Sequence, residues 1–188
     1  MAKDNKTLHV ILGLLAHEDL TGYGIKKRID SSLAFFWDAG FGQIYPSLGV
    51  LEREGLVSKR TEAYERQPKR IIYSITEAGR SELKKWLATP VEKEPVRYEI
   101  LLRLFFGSQL PVGDSIKRIE EFGSRHRAHY ETMLQYKKEL EDLLPQGGDH
   151  FFIYLTVLFG EKVYRAYLDW VEEAKGMLED VSKRSHLL

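Results

Sequence analysis

Cysteine is absent from this sequence of 188 residues, which excludes disulfide bonds and thiolate metal sites. The chain also lacks a long apolar run: its first one, residues 8–16, is too short to span a membrane, and no signal-peptide cleavage site follows it. We therefore expect a cytoplasmic protein that does not enter a membrane. With 43% hydrophobic residues, it can fill a core in one domain or in two small ones.

Catalytic and metal-binding motifs are missing as well. There is no glycine-rich phosphate loop and no Gly-x-Ser-x-Gly motif, and the six histidines are scattered along the chain. His126 and His129 share one face of a predicted helix and could pair at a metal, but no nearby carboxylate completes a ligand set. A packed or solvated pair explains them more simply. The sequence thus predicts no enzyme, no metal site and no cofactor.

The net charge is zero, which argues against a strongly basic nucleic-acid-binding protein. The distribution is more informative, because residues 1–90 hold 14 basic and 11 acidic side chains, whereas residues 91–188 hold 14 and 17. Within residues 53–70 the ratio is six to three. This excess favours contact with an anionic partner in the N-terminal half. A solvated surface with a chance imbalance is the alternative explanation.

Residues 42–57 predict a short helix with one buried face. Ile44, Leu48 and Leu51 recur at i, i+4 and i+7, and Gly55 can end the helix. The other faces carry side chains that suit DNA, because glutamine and arginine hydrogen-bond base edges, and tyrosine and serine reach phosphates. These candidate DNA-binding residues are Gln43, Tyr45, Ser47 and Arg53.

Two short strands are predicted directly after this helix, at residues 57–61 and 69–75, with a polar turn between them. A helix followed by a basic β-hairpin is typical of a winged helix-turn-helix, in which one helix enters the major groove of DNA and the wing contacts phosphates. The candidate phosphate contacts of the hairpin are Lys59, Arg60, Arg66, Lys69 and Arg70.

The second half of the chain is predicted to be helical. Residues 90–95, which contain two prolines, form a linker between a DNA-binding domain at residues 1–89 and a helical domain at residues 96–188. A helix from residue 111 to about residue 144 repeats apolar positions at alternating steps of three and four. The last helix, from about residue 150 to residue 178, begins with a segment that is apolar all round. The predicted fold class is therefore mainly α with a small β-hairpin.

A helical domain of this size has little interior of its own. We therefore expect its apolar surface to pack against a second copy of the chain, with a contribution from the first helix. The predicted dimer contacts are Leu12, Ile116, Ile119, Tyr130, Met133, Leu155, Phe159, Val163 and Tyr167.

Five sequence blocks carry a resemblance to a known family. They come in the family's order and at its spacing within residues 7–88, and they resemble the winged-helix signature of PadR-type (phenolic-acid-decarboxylase regulator) transcription factors. The blocks are Leu-Gly-Leu-Leu at residues 12–15, Thr-Gly-Tyr-Gly-Ile at 21–25, Gly-Gln-Ile-Tyr-Pro at 42–46, Leu-Glu-Arg-Glu-Gly-Leu-Val at 51–57 and Tyr-Ser-Ile-Thr-Glu-Ala-Gly at 73–79.

The resemblance implies a homodimeric transcription factor, usually a repressor, that binds a palindromic operator. It places Gln43, Tyr45 and Ser47 on the recognition helix and Lys69 and Arg70 in the wing. The sequence departs from the family pattern at Val50, where many members have a basic residue, and this leaves polar base contacts to Gln43 and Arg53.

The sequence therefore predicts a sequence-specific transcriptional regulator whose partners are double-stranded DNA and a second copy of itself. A small aromatic or hydrophobic effector is a further expected partner, which we place at the junction of the two domains. The alternative is a helical protein-interaction module that keeps the winged fold without binding DNA specifically. The operator, the target genes and the choice between repressor and activator stay open.

Overall fold

The structure is a computed structural model that describes residues 6–62, 69–91 and 96–185. The chain divides into two compact units, Met1–Lys93 and Glu94–Leu188. The predicted fold class is confirmed, since the described part is mostly helical with one small sheet. Its helices and strands are α1 (Thr7–His17), β1 (Leu20–Thr21), α2 (Gly22–Arg28, continued by a π-helical turn), α3 (Phe41–Arg53), β2 (Val57–Glu62), β3 (Arg70–Ile75), α4 (Glu77–Leu87), α5 (Glu99–Phe105), α6 (Val112–Glu141) and α7 (Asp149–Ser185). Across the described ranges no helix is long and apolar enough to cross a membrane.

The first unit contains an antiparallel sheet in the order β1-β3-β2. The β2–β3 hairpin matches the predicted wing, and its register runs from Val57 opposite Ile75 to Glu62 opposite Arg70. The two-residue strand β1 was not predicted, because Leu20 and Thr21 are too few to show an alternating pattern. Thr21 also caps the start of α2: its side-chain oxygen accepts a hydrogen bond from the Gly24 N–H at 2.9 Å.

Helices α1, α2 and α3 enclose the core of this unit together with the sheet. Ile44, Leu48 and Leu51, the predicted buried stripe of α3, are each no more than 1% exposed. Leu12 on α1 lies in the same cluster and is equally buried. Its predicted role as a dimer contact is therefore wrong, because the protomer's own core leaves it no surface for a partner.

In the second unit α6 and α7 pack against each other in antiparallel directions. Salt bridges and hydrogen bonds join the two helices in reversed order, from Glu120 with Lys175 at 2.5 Å to Lys137 with Glu161 at 3.5 Å. They pack closely midway, where a Cβ on Gly123 would lie 2.9 Å from a methyl carbon of Val171. The apolar residues that recur along α6 thus pack against α7 of the same chain.

This pairing corrects two more predicted dimer contacts. Ile119 is completely buried and Met133 is 4% exposed, so both belong to the interior of the protomer. Ile116, Tyr130, Val163 and Tyr167 are half-buried. Two predicted contacts, Leu155 and Phe159, are exposed on α7. Further large apolar side chains of this unit are exposed on α5, directly after it and at the start of α7: Leu101, Leu102, Phe105, Phe106, Phe151 and Phe152.

Candidate nucleic-acid interface

Helix α3 is held at both ends by local hydrogen bonds. At its start the side-chain oxygen of Gln43 accepts the Gly40 N–H at 3.2 Å, which is half of a capping box. At its end Gly55 has a φ of +70°, and the Leu56 N–H donates to the Leu51 carbonyl at 2.9 Å, as in a Schellman motif. The helix begins at Phe41, one residue before the predicted stretch, and Pro46 lies inside it. These caps fix the side chains on the outer face of α3.

Three of the four candidates on α3 are exposed: Gln43, Tyr45 and Arg53. Ser47 is fully buried, so its prediction as a DNA contact is wrong. With 3.6 residues per turn, Ser47 lies only about 60° from Ile44 around the helix, and a side chain of its size fits beneath the neighbouring elements. The buried face of α3 is wider than its apolar stripe.

A groove of about 570 Å³ runs between the outer face of α3, the start of α2 and strand β3. Tyr45 contributes one wall, and a Cβ on Gly22 would lie 2.6 Å from the Cε1 atom of its ring, so the ring packs directly on the backbone of α2. Two cations, Lys69 and Arg70, also line the groove. The residues that line the groove are Thr21, Gly22, Tyr23, Tyr45, Lys69, Arg70, Ile71 and Tyr73.

Two of the predicted wing cations are engaged in ion pairs. The Lys59 ammonium lies 2.7 Å from a carboxylate oxygen of Glu52 on α3, and this hydrogen bond raises the pKa of Lys59. The Arg60 guanidinium lies 2.5 Å from Asp19 and lowers the pKa of the Asp19 carboxyl. A phosphate would have to compete with these carboxylates, so Lys59 and Arg60 are less suited to DNA than their sequence positions suggested.

The remaining wing candidates are Lys69, Arg70 and Arg66. Lys69 and Arg70 are exposed and line the groove beside Tyr45. Lys69 forms no ion pair within the described ranges. Arg66 lies outside the described residues. The groove therefore brings together Tyr45, Lys69 and Arg70, three of the nine predicted DNA-binding residues, while Gln43 and Arg53 are exposed elsewhere on α3.

Sequence reasoning missed an aromatic row at the start of α3, made of Tyr23, Phe41 and Tyr45. The ring centres are 6.4 Å apart between Tyr23 and Phe41 and 5.9 Å apart between Phe41 and Tyr45, and the neighbouring planes are within 24° of parallel. The three side chains are 68%, 42% and 52% exposed. The position of Phe41 just before the predicted helix was the one signal that could have pointed to it.

The second unit holds a small aromatic pocket of about 190 Å³ between α5, α6 and α7. The Tyr98 and Tyr167 hydroxyls are hydrogen-bonded at 2.7 Å, and burial together with this bond raises the pKa of Tyr167. The residues that line the pocket are Tyr98, Ile100, Leu101, Phe122, Tyr167 and Trp170. The wall is almost entirely apolar, so the pocket suits a small hydrophobic or aromatic molecule.

The His126 and His129 pair packs among aromatic rings. The His126 ring lies 4.2 Å from that of Phe122 and 5.6 Å from that of Tyr164, and burial lowers the pKa of His126. Within residues 6–62, 69–91 and 96–185, no three histidine, aspartate or glutamate side chains are placed to hold a metal ion. The ring contacts of His126 agree with the packed alternative.

Two family models match the chain in succession. Residues 11–85 match the transcriptional regulator PadR-like family, and residues 96–179 match the family described as virulence activator alpha C-term. The two matches fall in the first and second unit, respectively. The winged-helix resemblance predicted from the five blocks is thereby confirmed.

Similar proteins extend over nearly the whole chain. The negative transcriptional regulator PadR of Bacillus subtilis is 29% identical over 180 residues, which cover 91% of this chain and 96% of the relative. The crystal structure of that protein in complex with operator DNA matches with a TM-score of 0.82 at 26% identity, and the match covers 92% of this chain and 97% of that one. Its crystal structure in complex with p-coumaric acid matches with a TM-score of 0.73 at 25% identity, and the match covers 95% of this chain and 99% of that one. A PadR-like transcriptional regulator from Bacillus cereus matches with a TM-score of 0.75 at 30% identity, covering 92% and 98%. These relatives are named as regulators, which confirms the prediction that the chain is not an enzyme.

Proposed function

We propose that this chain, which belongs to the PadR-like family of transcriptional regulators, acts in the cytoplasm as a homodimeric repressor. The dimer would bind an inverted-repeat operator, and a small-molecule effector would release it from the DNA. Residues 1–89 would bind DNA, and residues 96–188 would dimerise. The observation that carries the proposal is the groove that Tyr45 of α3 lines together with Lys69 and Arg70 of the wing.

The groove has the chemistry that DNA requires. Phosphates are bound by exposed cations, and Lys69 and Arg70 lie within reach of the side of α3 that carries Tyr45. Gln43 is exposed in the first turn of α3, the part of a recognition helix that contacts base edges. Similarity to the B. subtilis protein, solved with operator DNA, supports the same use of this unit.

Gln43→Ala should weaken operator binding by about 1–3 kcal/mol and relax base preference at one position of each half-site. The substitution also removes the hydrogen bond to the Gly40 N–H, so the loss of affinity alone is not diagnostic. The readout is the ratio of affinities for the operator and for the same operator with single base changes, measured by fluorescence anisotropy. A variant with the discrimination of the unsubstituted protein at every base pair would remove Gln43 from the proposed contact.

Dimerisation is proposed from the apolar surface of the second unit. Phe159 is 65% exposed on α7 and Phe105 is 83% exposed on α5. Large exposed apolar patches on a folded protein mark sites of association, because leaving such area in water costs about 25 cal/mol per Å². A second copy presenting the same helices would cover it by a twofold-symmetric contact.

The aromatic pocket of the second unit is the proposed effector site. Its support is the apolar wall formed by Tyr98, Phe122 and Trp170, and the similarity to B. subtilis PadR in complex with p-coumaric acid. The effector site expected at the junction of the domains stays a prediction. An effector releases DNA only if it binds better to a dimer whose recognition helices are wrongly spaced for the operator.

p-Coumaric acid, used as a probe, should bind the protein and release it from operator DNA. Leu101→Trp should abolish this binding, because a larger side chain on the pocket wall would take up part of the free space of about 190 Å³ and leave too little for an aromatic ligand. Leu102→Trp is the matched control, since Leu102 is exposed and does not line the pocket. Isothermal titration calorimetry on the three proteins distinguishes the cases. Equal binding by both variants would place the effector elsewhere.

A further inference from the structure

The aromatic row of Tyr23, Phe41 and Tyr45 is exposed in a way that folding does not require. Phe41 is the first residue of α3, is 42% exposed and is not part of the buried core of its unit. Its main aromatic neighbours are two further exposed rings. Phenylalanine is usually buried, so an exposed aromatic row at the start of a recognition helix indicates a surface that a binding partner covers.

The rings of the row pack on one another and on the backbone of α2. The Tyr45 ring lies between the backbone of Gly22, where an added Cβ would be 2.6 Å from Cε1, and the Phe41 ring at 5.9 Å. Phe41 in turn lies against Tyr23 in a nearly parallel arrangement, with 17° between the planes. Rings held in this way keep their apolar faces and edges in place before any partner binds, so little conformational freedom is lost on contact.

The surroundings of the row match the major groove of DNA. Tyr23 and Tyr45 line the same groove as Lys69 and Arg70, so the apolar surface lies next to exposed cations that suit phosphates. The first residues of a recognition helix are those that reach base edges. In the major groove the one apolar group on a base edge is the 5-methyl of thymine, and phenylalanine is among the residues that contact it.

We propose that the aromatic row recognises thymine 5-methyl groups in each operator half-site, with Phe41 as the principal contact and Tyr45 and Tyr23 as the rings that position it. This inference rests on the proposed binding of DNA by α3. It adds a base preference that the hydrogen-bonding residue Gln43 does not provide, since a methyl group offers no donor or acceptor.

The test replaces thymine by deoxyuridine, which removes only the methyl group. The operator is first enriched from random-sequence DNA with the purified full-length protein, and each thymine is then replaced singly. At one or two positions per half-site, the replacement should weaken binding by the unsubstituted protein about fourfold, the value of one buried methyl group. Phe41→Ala should bind the thymine operator more weakly and should not distinguish it from the deoxyuridine form at these positions.

Two further variants serve as controls. Phe36→Ala removes another exposed phenylalanine of the same unit, outside the row, and should keep the fourfold discrimination. Phe41→Leu keeps an apolar side chain at the start of α3 and should retain part of it. The unfolding midpoint of each variant is measured by circular dichroism, so that a folding defect is not mistaken for a lost contact.

The outcomes distinguish a failure of the thymine contact from a failure of DNA binding itself. An enriched operator without thymine in its half-sites, or equal thymine discrimination by Phe41→Ala and the unsubstituted protein, would overturn the role of the row while leaving DNA binding intact. If no sequence is enriched from the random pool, the proposed function fails and the inference fails with it.

Discussion

Gly79→Ala should destabilise the winged-helix unit by about 1–3 kcal/mol, as expected for overpacking. A Cβ at this position of α4 would lie 2.1 Å from the carbonyl oxygen of Leu56, which no L-residue tolerates without movement. That oxygen is held in place by two hydrogen bonds from Thr76, from its N–H at 3.1 Å and from its hydroxyl at 3.0 Å. The backbone at the junction between the wing and α4 therefore cannot move away from the added Cβ without weakening these hydrogen bonds.

Helix propensity alone predicts the opposite sign, because alanine is favoured over glycine inside a helix by about 1 kcal/mol. Thermal unfolding by calorimetry decides between the two effects, with a fall of about 4–8 °C expected for each kcal/mol in a unit of this size. Gly13→Ala on α1 is the control, since its Cβ would meet nothing within 4 Å, and its stability should stay equal or rise. A Gly79→Ala protein as stable as the unsubstituted one would show that the junction is looser than described.

Phe159→Glu should dissociate the proposed dimer and weaken operator binding at least 100-fold. Phe159 is 65% exposed in the protomer, so the substitution leaves the fold of one chain intact while placing a charge at the proposed interface. Loss of an aromatic anchor of this kind typically costs 2 kcal/mol or more, about 30-fold in the dimer dissociation constant. Operator affinity falls further, because two linked half-site contacts gain about 10²–10⁴ over one.

Sedimentation equilibrium gives the dimer constant, and anisotropy on the inverted repeat gives the DNA affinity. Phe159→Leu, which keeps the surface apolar, is the matched control and should behave like the unsubstituted protein. The proposed interface is wrong if Phe159→Glu sediments as the unsubstituted protein does, or if the unsubstituted protein is itself a monomer at micromolar concentration.

The sequence predicted those elements whose signal is local and periodic. The i, i+4, i+7 stripe of Ile44, Leu48 and Leu51 was enough to place α3 and its buried face. Ser47 was misplaced because the width of a buried face depends on what covers it, and periodicity carries no information about that. Strand β1 was missed because its pairing with β3 joins residues more than 50 positions apart, at Leu20 and Tyr73.

The sequence also did not show which helix or which charged residue each side chain would contact. The apolar spacing of α6 predicted a helical partner correctly, yet Ile119 and Met133 pack against α7 of the same chain and not against a second copy. In the same way, Lys59 and Arg60 counted as basic residues, but the pairing of Arg60 with Asp19 depends on a contact across 41 positions. A basic residue suits the proposed DNA contact better where the fold does not pair it with a carboxylate, as at Lys69 within the described ranges.

The central claim, specific binding of an inverted repeat by a dimer, is tested most directly by enrichment of random-sequence DNA with the full-length protein. The account predicts one inverted repeat whose half-site centres are about 34 Å apart, one turn of DNA, bound at about 10⁻⁸ M or tighter, with affinity that falls steeply as salt rises. Enrichment of no sequence over the starting pool, or of a single unrepeated site, would contradict it.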